Sequence, residues 1–167
     1  FNSMDLNRKL GEAVTSTYKL PVSLKEFDVN IGIEVLDWAY IFTKTKKCLG
    51  GLPIGSEGRV IALLDDKKSF LAALLLMKRG CAVFPVSFKK IDVSLLEKYS
   101  YGSNITLRVV KDLKEINKIL KKHPCQALVT GQTLEEAEDI DVEVPVLRPL
   151  VGFDVKKIKK ELKRFEA

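Results

Sequence analysis

The sequence is poor in the residues that build most metal and nucleophile sites. It has one histidine, His123, so no pair of imidazoles is present to ligate a metal, and a histidine-based triad has only that position to form around. His123 lies in a Lys-Lys-His-Pro turn and reads as a solvated loop residue. The three cysteines, Cys48, Cys81 and Cys125, are odd in number and far apart. No CxxC pair exists, which suggests neither a zinc site nor a disulfide framework. Reduced thiols and a cytoplasmic setting are the expectation. No apolar run approaches the ~20 residues of a membrane-spanning helix. The longest, Phe70 to Met77, reads as a buried helix face, so no membrane partner is expected. The start lacks a basic segment leading into an apolar one, as a signal peptide would have. Phe1-Asn2-Ser3 ahead of Met4 reads as the remnant of a cleaved tag, with Met4 the expected start. No internal repeat or low-complexity segment is evident.

What is present suits a globular fold. The 167 residues are 46% hydrophobic and 30% charged, enough for a core and a well-hydrated surface. The formal net charge of +6 favours anionic partners, nucleic acid first. Much of the excess lies in Lys111 to Lys122 and Lys156 to Arg164, whose spacing predicts amphipathic helices. Lysines on such outer faces read in the first place as a solvated surface.

Residues 4–48 form a first piece. Leu6, Leu10, Ala13 and Val14 recur at helical spacing from Asp5 to about Thr17, with Asp5 a candidate cap. Val29 to Val35 alternates with period two, Asp37 marks a turn, and Trp38 to Thr43 reads as a second strand. A lone hairpin is marginal in water. Its open edges make it a candidate for pairing across a homodimer. Residues 49–57, rich in glycine, read as a linker. From 58 to 167 strands and helices alternate. The strands are Val60–Leu64, Cys81–Phe88, Ile105–Val110, Cys125–Thr130 and Val144–Leu147. The helices are Lys67–Arg79, Val93–Tyr99, Leu113–Lys122, Leu134–Asp139 and Val155–Phe165. This pattern predicts an α/β fold, a doubly wound five-stranded parallel sheet with a small helix-plus-hairpin piece before it.

Three separated segments carry a resemblance. Gly50-Gly51-Leu52-Pro53-Ile54-Gly55-Ser56-Glu57-Gly58-Arg59-Val60 leads into the first strand of the sheet. Leu128-Val129-Thr130-Gly131-Gln132-Thr133-Leu134 follows the fourth, and Pro145-Val146-Leu147-Arg148-Pro149-Leu150-Val151-Gly152-Phe153-Asp154 spans the fifth. In order and spacing they resemble the tRNA sulfurtransferases (ThiI, the tRNA 4-thiouridine synthetases). The resemblance implies the C-terminal part of a THUMP module joined to a PP-loop domain, with strand order 3-2-1-4-5. It also implies a link to tRNA thiolation and thiamine biosynthesis, with tRNA as partner. The first half of the THUMP module has no counterpart here. The family's active-site cysteine lies beyond the final helix, so no catalytic residue is assigned.

The resemblance places a nucleotide at the switch point of the sheet, between the turns after the first and fourth strands. In the family the first turn reads Ser-Gly-Gly-x-Asp-Ser; here it is Leu64-Asp65-Asp66-Lys67-Lys68-Ser69, with the last letter alone kept. Glycines there let backbone N–H groups reach phosphate oxygens at a helix N-terminus. Two readings stand. In one, Asp65 or Asp66 caps the helix and the ATP chemistry is lost, leaving an RNA-binding or assembly module with no cofactor and no metal. In the other, Lys67, Lys68 and Ser69, with Thr130 and Gly131, still hold ATP and Mg²⁺ in a subunit that needs partner domains. A purely structural oligomer is a third possibility for the whole chain. Arg59 and Arg148 are candidate RNA contacts, and Asp154 reads as a helix cap. Cys125 and Cys81 each open a strand, and Cys125 reads as a small buried core residue.

Overall fold

A computed structural model describes residues 2–45 and 49–166; Cys48 lies outside the described residues. The chain divides into two compact units, residues 1–48 and 49–167.

In the first unit, helix α1 (Ser3–Tyr18) is capped by Asn2, whose side chain accepts a bond from the Asp5 N–H at 2.9 Å. Asp5, the expected cap, instead sits in the first turn, where its charge favours the positive end of the helix. Strands β1 (Gly32–Val35) and β2 (Ala39–Phe42) pair antiparallel, with Ile33 opposite Ile41. The Phe42 ring lies over Gly32, where any β-carbon would collide with it. Trp38 and Ile41 are 76% and 70% exposed. No residue of α1 is buried.

The second unit is the predicted parallel sheet. Its strands are β3 (Arg59–Leu63), β4 (Ala82–Ser87), β5 (Arg108–Val109), β6 (Leu128–Val129) and β7 (Val146–Leu147). Their order is β5-β4-β3-β6-β7, which is 3-2-1-4-5 counted within the unit. Central β3 is apolar at every position from Val60 to Leu63 because both of its faces are covered. Val60, Ala62 and Leu64 pack with α2 (Lys67–Lys78), α3 (Ser94–Tyr99) and α5 (Val155–Glu166), through Leu71, Leu74, Leu96, Ile158 and Phe165. Ile61 and Leu63 face the other way, onto Ile116 and Leu120 of α4 (Leu113–Lys122).

Two segments depart from the sequence reading. Residues 134–136 form a turn where a helix over 134–139 is predicted, held by Glu136 N–H to the Thr133 carbonyl and Ala137 N–H to the Leu134 carbonyl. Four carboxylates crowd this stretch, and beyond it Ile140, Val142 and Val144 alternate. That period of two lays the chain extended against the core under α4. Segment 49–57, read as a linker, is an ordered strap on the end of α2. Leu52 N–H bonds the Lys78 carbonyl, and Gly55 and Glu57 N–H groups bond the Gly80 carbonyl at 2.7 and 3.1 Å. It satisfies carbonyls that a helix end otherwise leaves without partners. Gly51, at φ 121°, runs too close to Lys78 for any side chain.

Candidate functional site

The switch point lies where β3 and β6 diverge into their turns. The first turn is closed by a capping box. The Asp66 carboxylate accepts the N–H groups of Lys68 and Ser69 at 2.8 and 2.9 Å. The Ser69 hydroxyl donates to the Asp66 carbonyl at 2.6 Å and accepts the N–H groups of Asp65 and Asp66 at 3.1 and 3.2 Å. The N–H groups of Lys68 and Ser69, which a helix N-terminus would offer an anion, are therefore taken by the Asp66 side chain. Ser69 is 1% exposed.

The second turn meets the first backbone to backbone. A β-carbon on Gly131 would sit 2.7 Å from Ser69 Cα and 2.8 Å from the Lys68 carbonyl carbon. Glycine is required there by this approach of two main chains. Thr130 is buried beside it, with its hydroxyl 3.5 Å from the Gln132 side-chain oxygen. Lys68 reaches across the crevice to the Glu136 carboxylate and lies 3.6 Å from Asp66. The hydrogen bond to Glu136 raises the Lys68 pKa, with Asp66 adding to it. The same bond holds Glu136 below the usual carboxylate range, aided by the Thr133 N–H.

The predicted residues divide accordingly. Lys68, Ser69, Thr130 and Gly131 come together at the crevice. Lys67 is exposed beside it, with no ion pair among the described residues. Arg148 joins through its own partners, donating from Nε to the Gln132 side-chain oxygen at 2.9 Å and from its fork to the Glu138 carbonyl. Arg59 does not join: it is the first residue of β3, at the opposite end of that strand; its N–H donates to the Gln126 side-chain oxygen and its carbonyl accepts the Gln126 N–H. Asp154 caps α5 through the Lys157 N–H at 2.7 Å. Burial pushes the thiols of Cys81 and Cys125 up, leaving both poorly nucleophilic.

Glu136 and Gln132 organise the crevice, and the sequence reading gave neither a role. Gln132 stands inside the Leu128–Leu134 segment that carries the family resemblance, which was the one available signal. The two turns carry six carboxylates (Asp65, Asp66, Glu135, Glu136, Glu138 and Asp139) against the two lysines 67 and 68. Among the described residues no group of three or more metal-ligating side chains is placed to hold an ion.

A doubly wound sheet with a crevice at its switch point is a nucleotide-binding architecture, and the comparisons with known proteins place it more closely. Over 217 aligned positions the chain is 32% identical to a Methanocaldococcus jannaschii protein named probable tRNA sulfurtransferase, covering 99% of this chain and 57% of that one. A Thermococcus kodakarensis protein of the same name is 30% identical over 93% of this chain and 54% of its own length. The crystal structure of PH1313 from Pyrococcus horikoshii superposes with a TM-score of 0.79 at 33% identity, over 100% of this chain and 61% of that one. A 4-thiouridine synthetase, solved with RNA and ATP, shares the fold with a TM-score of 0.71 at 24% identity, over 99% of this chain and 56% of that one. No family model matches the chain. The chain is a homologue of the tRNA sulfurtransferases, and it spans about half the length of the curated relatives it matches. Against the 217 aligned positions its own 167 residues leave at least 50 that the Methanocaldococcus jannaschii relative has and this chain lacks within the match. No helix among the described residues is long and apolar enough to cross a membrane.

Proposed function

We propose that this chain is a non-catalytic relative of the tRNA sulfurtransferases, a degenerate PP-loop fold that serves as an RNA-binding or assembly module. The observation that carries this reading is the Asp66 carboxylate seated on the N–H groups of Lys68 and Ser69. A triphosphate does not fit these residues. To reach the helix N-terminus it would displace a cap worth about 1 kcal/mol. It would then face the displaced carboxylate, at a cost of about 4 kcal/mol for two unit charges 4 Å apart in an effective dielectric of 20. The lysine best placed to compensate is already paired with Glu136. The shortening within the matched span points the same way.

RNA binding is the role that the family relation and the net charge of +6 support. Titration of the full chain with an unmodified tRNA transcript tests it. Binding that weakens steeply with salt is expected, whereas no binding at low salt would leave assembly as the module's role. For assembly, the hairpin β1–β2 is the surface we assign, in a homodimer. Ile33, Val35, Ala39 and Ile41 share one face, and Ile41 is largely exposed. Sedimentation of wild type and Ile41→Glu checks it: a dimer lost in the variant is expected, and a monomeric wild type contradicts it.

A further inference from the structure

Of the second unit's positive charge, α5 holds the densest part. Its twelve residues carry six cations and two carboxylates. The apolar side is committed to the core: Ile158 and Phe165 are buried and Leu162 packs against them. The Tyr99 hydroxyl also bonds the Phe165 carbonyl at 2.7 Å. Of the cations, Lys157 lies 3.8 Å over the Phe153 ring and Arg164 pairs with Glu161 at 2.8 Å. Lys156, Lys159, Lys160 and Lys163 remain, all exposed and with no ion pair among the described residues. Their i, i+3, i+4, i+7 spacing puts them on one face, along about 10 Å of helix axis. Like charges at these spacings destabilise a helix, and interleaved glutamates would remove the penalty. The stripe keeps it. On α4, by contrast, Lys121 pairs with Glu143 and so part of the charge is answered.

We propose that the outer face of α5, and not the switch-point crevice, is the surface that takes the phosphate backbone of RNA. This rests on the RNA-binding reading above and names its surface. Four unanswered ammonium groups along a rigid helix match a run of phosphates. An anionic membrane is the weaker fit. A helix lying on lipid must bury its apolar side in the bilayer, and here that side is packed under Ile158 and Phe165.

The test uses the full chain and fluorescence anisotropy with a labelled, unmodified tRNA transcript across a salt series. Replacing all four lysines, Lys156→Gln, Lys159→Gln, Lys160→Gln and Lys163→Gln, should lower the slope of log K against log salt by about 3, at roughly 0.7–0.9 per phosphate contact. Affinity near 100 mM salt should fall on the order of 10- to 100-fold. Lys159→Gln with Lys163→Gln alone should lose about half the slope, which keeps the test valid if the fourfold variant folds poorly. Lys114→Gln, Lys118→Gln and Lys122→Gln on α4 should change little. Wild-type binding with the α5 variant unchanged would overturn this surface and leave the RNA reading standing. Equal losses from the α4 and α5 sets would overturn it too, since net charge alone would then be acting. A wild type that binds no tRNA would overturn both. Binding to phosphatidylserine vesicles that disappears in the α5 variant would replace RNA with lipid as the occupant.

Discussion

Asp66→Ala separates a capping carboxylate from a ligand-binding turn. Asp66 accepts two backbone N–H groups at the start of α2, the helix that packs Leu71, Leu74 and Met77 into the main core. Replacing an aspartate N-cap by alanine costs about 1 kcal/mol, within a range of roughly 0.5–2. For a unit of this size 1 kcal/mol moves Tm by about 4 °C. Thermal unfolding followed by circular dichroism should therefore show a fall of about 2–8 °C. Asp66→Gly should fall less, because glycine at this position costs only a few tenths of a kcal/mol relative to the natural caps. Asp65→Ala should leave Tm within about 2 °C, since the Asp65 side chain holds no hydrogen bond or ion pair among the described residues. Equal effects of Asp65→Ala and Asp66→Ala, or a Tm that rises in Asp66→Ala, would refute the capping account. A rise would mean that the two carboxylates repel each other more than one of them caps.

Two further changes probe the crevice. Gly131→Ala places a methyl group within 3 Å of the α2 backbone, so it should destabilise by about 1–3 kcal/mol as overpacking does, read as a shifted denaturant midpoint with unchanged m. Glu136→Gln removes the partner of Lys68. Because the folded carboxyl is held below its ordinary range, its contribution is present above the unfolded carboxylate pKa and is lost as pH falls through the folded value. Wild type and variant should therefore differ near neutral pH and converge in acid, and a difference that grows on acidification would contradict the pairing.

How much of this was legible depended on how local the cause was. The apolar run of β3, the period-3.6 face of α4 and an aspartate cap at the start of α2 act within a few residues, and each reads directly from the chain. The sheet order did not read from the chain itself; it came as what the family resemblance implies. The choice between Asp65 and Asp66 as cap was not legible, because either carboxylate can reach the first turn. Lys68 and Glu136 are 68 residues apart. Their pairing exists because β3 and β6 are neighbours and Gly131 lets the two turns touch, which no local pattern encodes. The turn at 134–136 was misread for a related reason. Leu134 to Asp139 has helical composition, yet Ile140, Val142 and Val144 gain more by lying extended across the core than a short acidic helix would return. Glycines 50, 51 and 55 read as a linker, but their positive φ is used to bend the chain around the end of α2.

The non-catalytic reading turns on whether the turn at Asp65–Ser69 holds a nucleotide. Isothermal titration of the full chain with ATP and Mg²⁺, followed by a pyrophosphate assay with tRNA present, meets it directly. With the Asp66 carboxylate seated on the helix N-terminus, no saturable heat up to millimolar ATP and no pyrophosphate release are expected. Micromolar binding accompanied by pyrophosphate release would contradict it, because the Asp66 carboxylate could not then be what occupies the helix N-terminus.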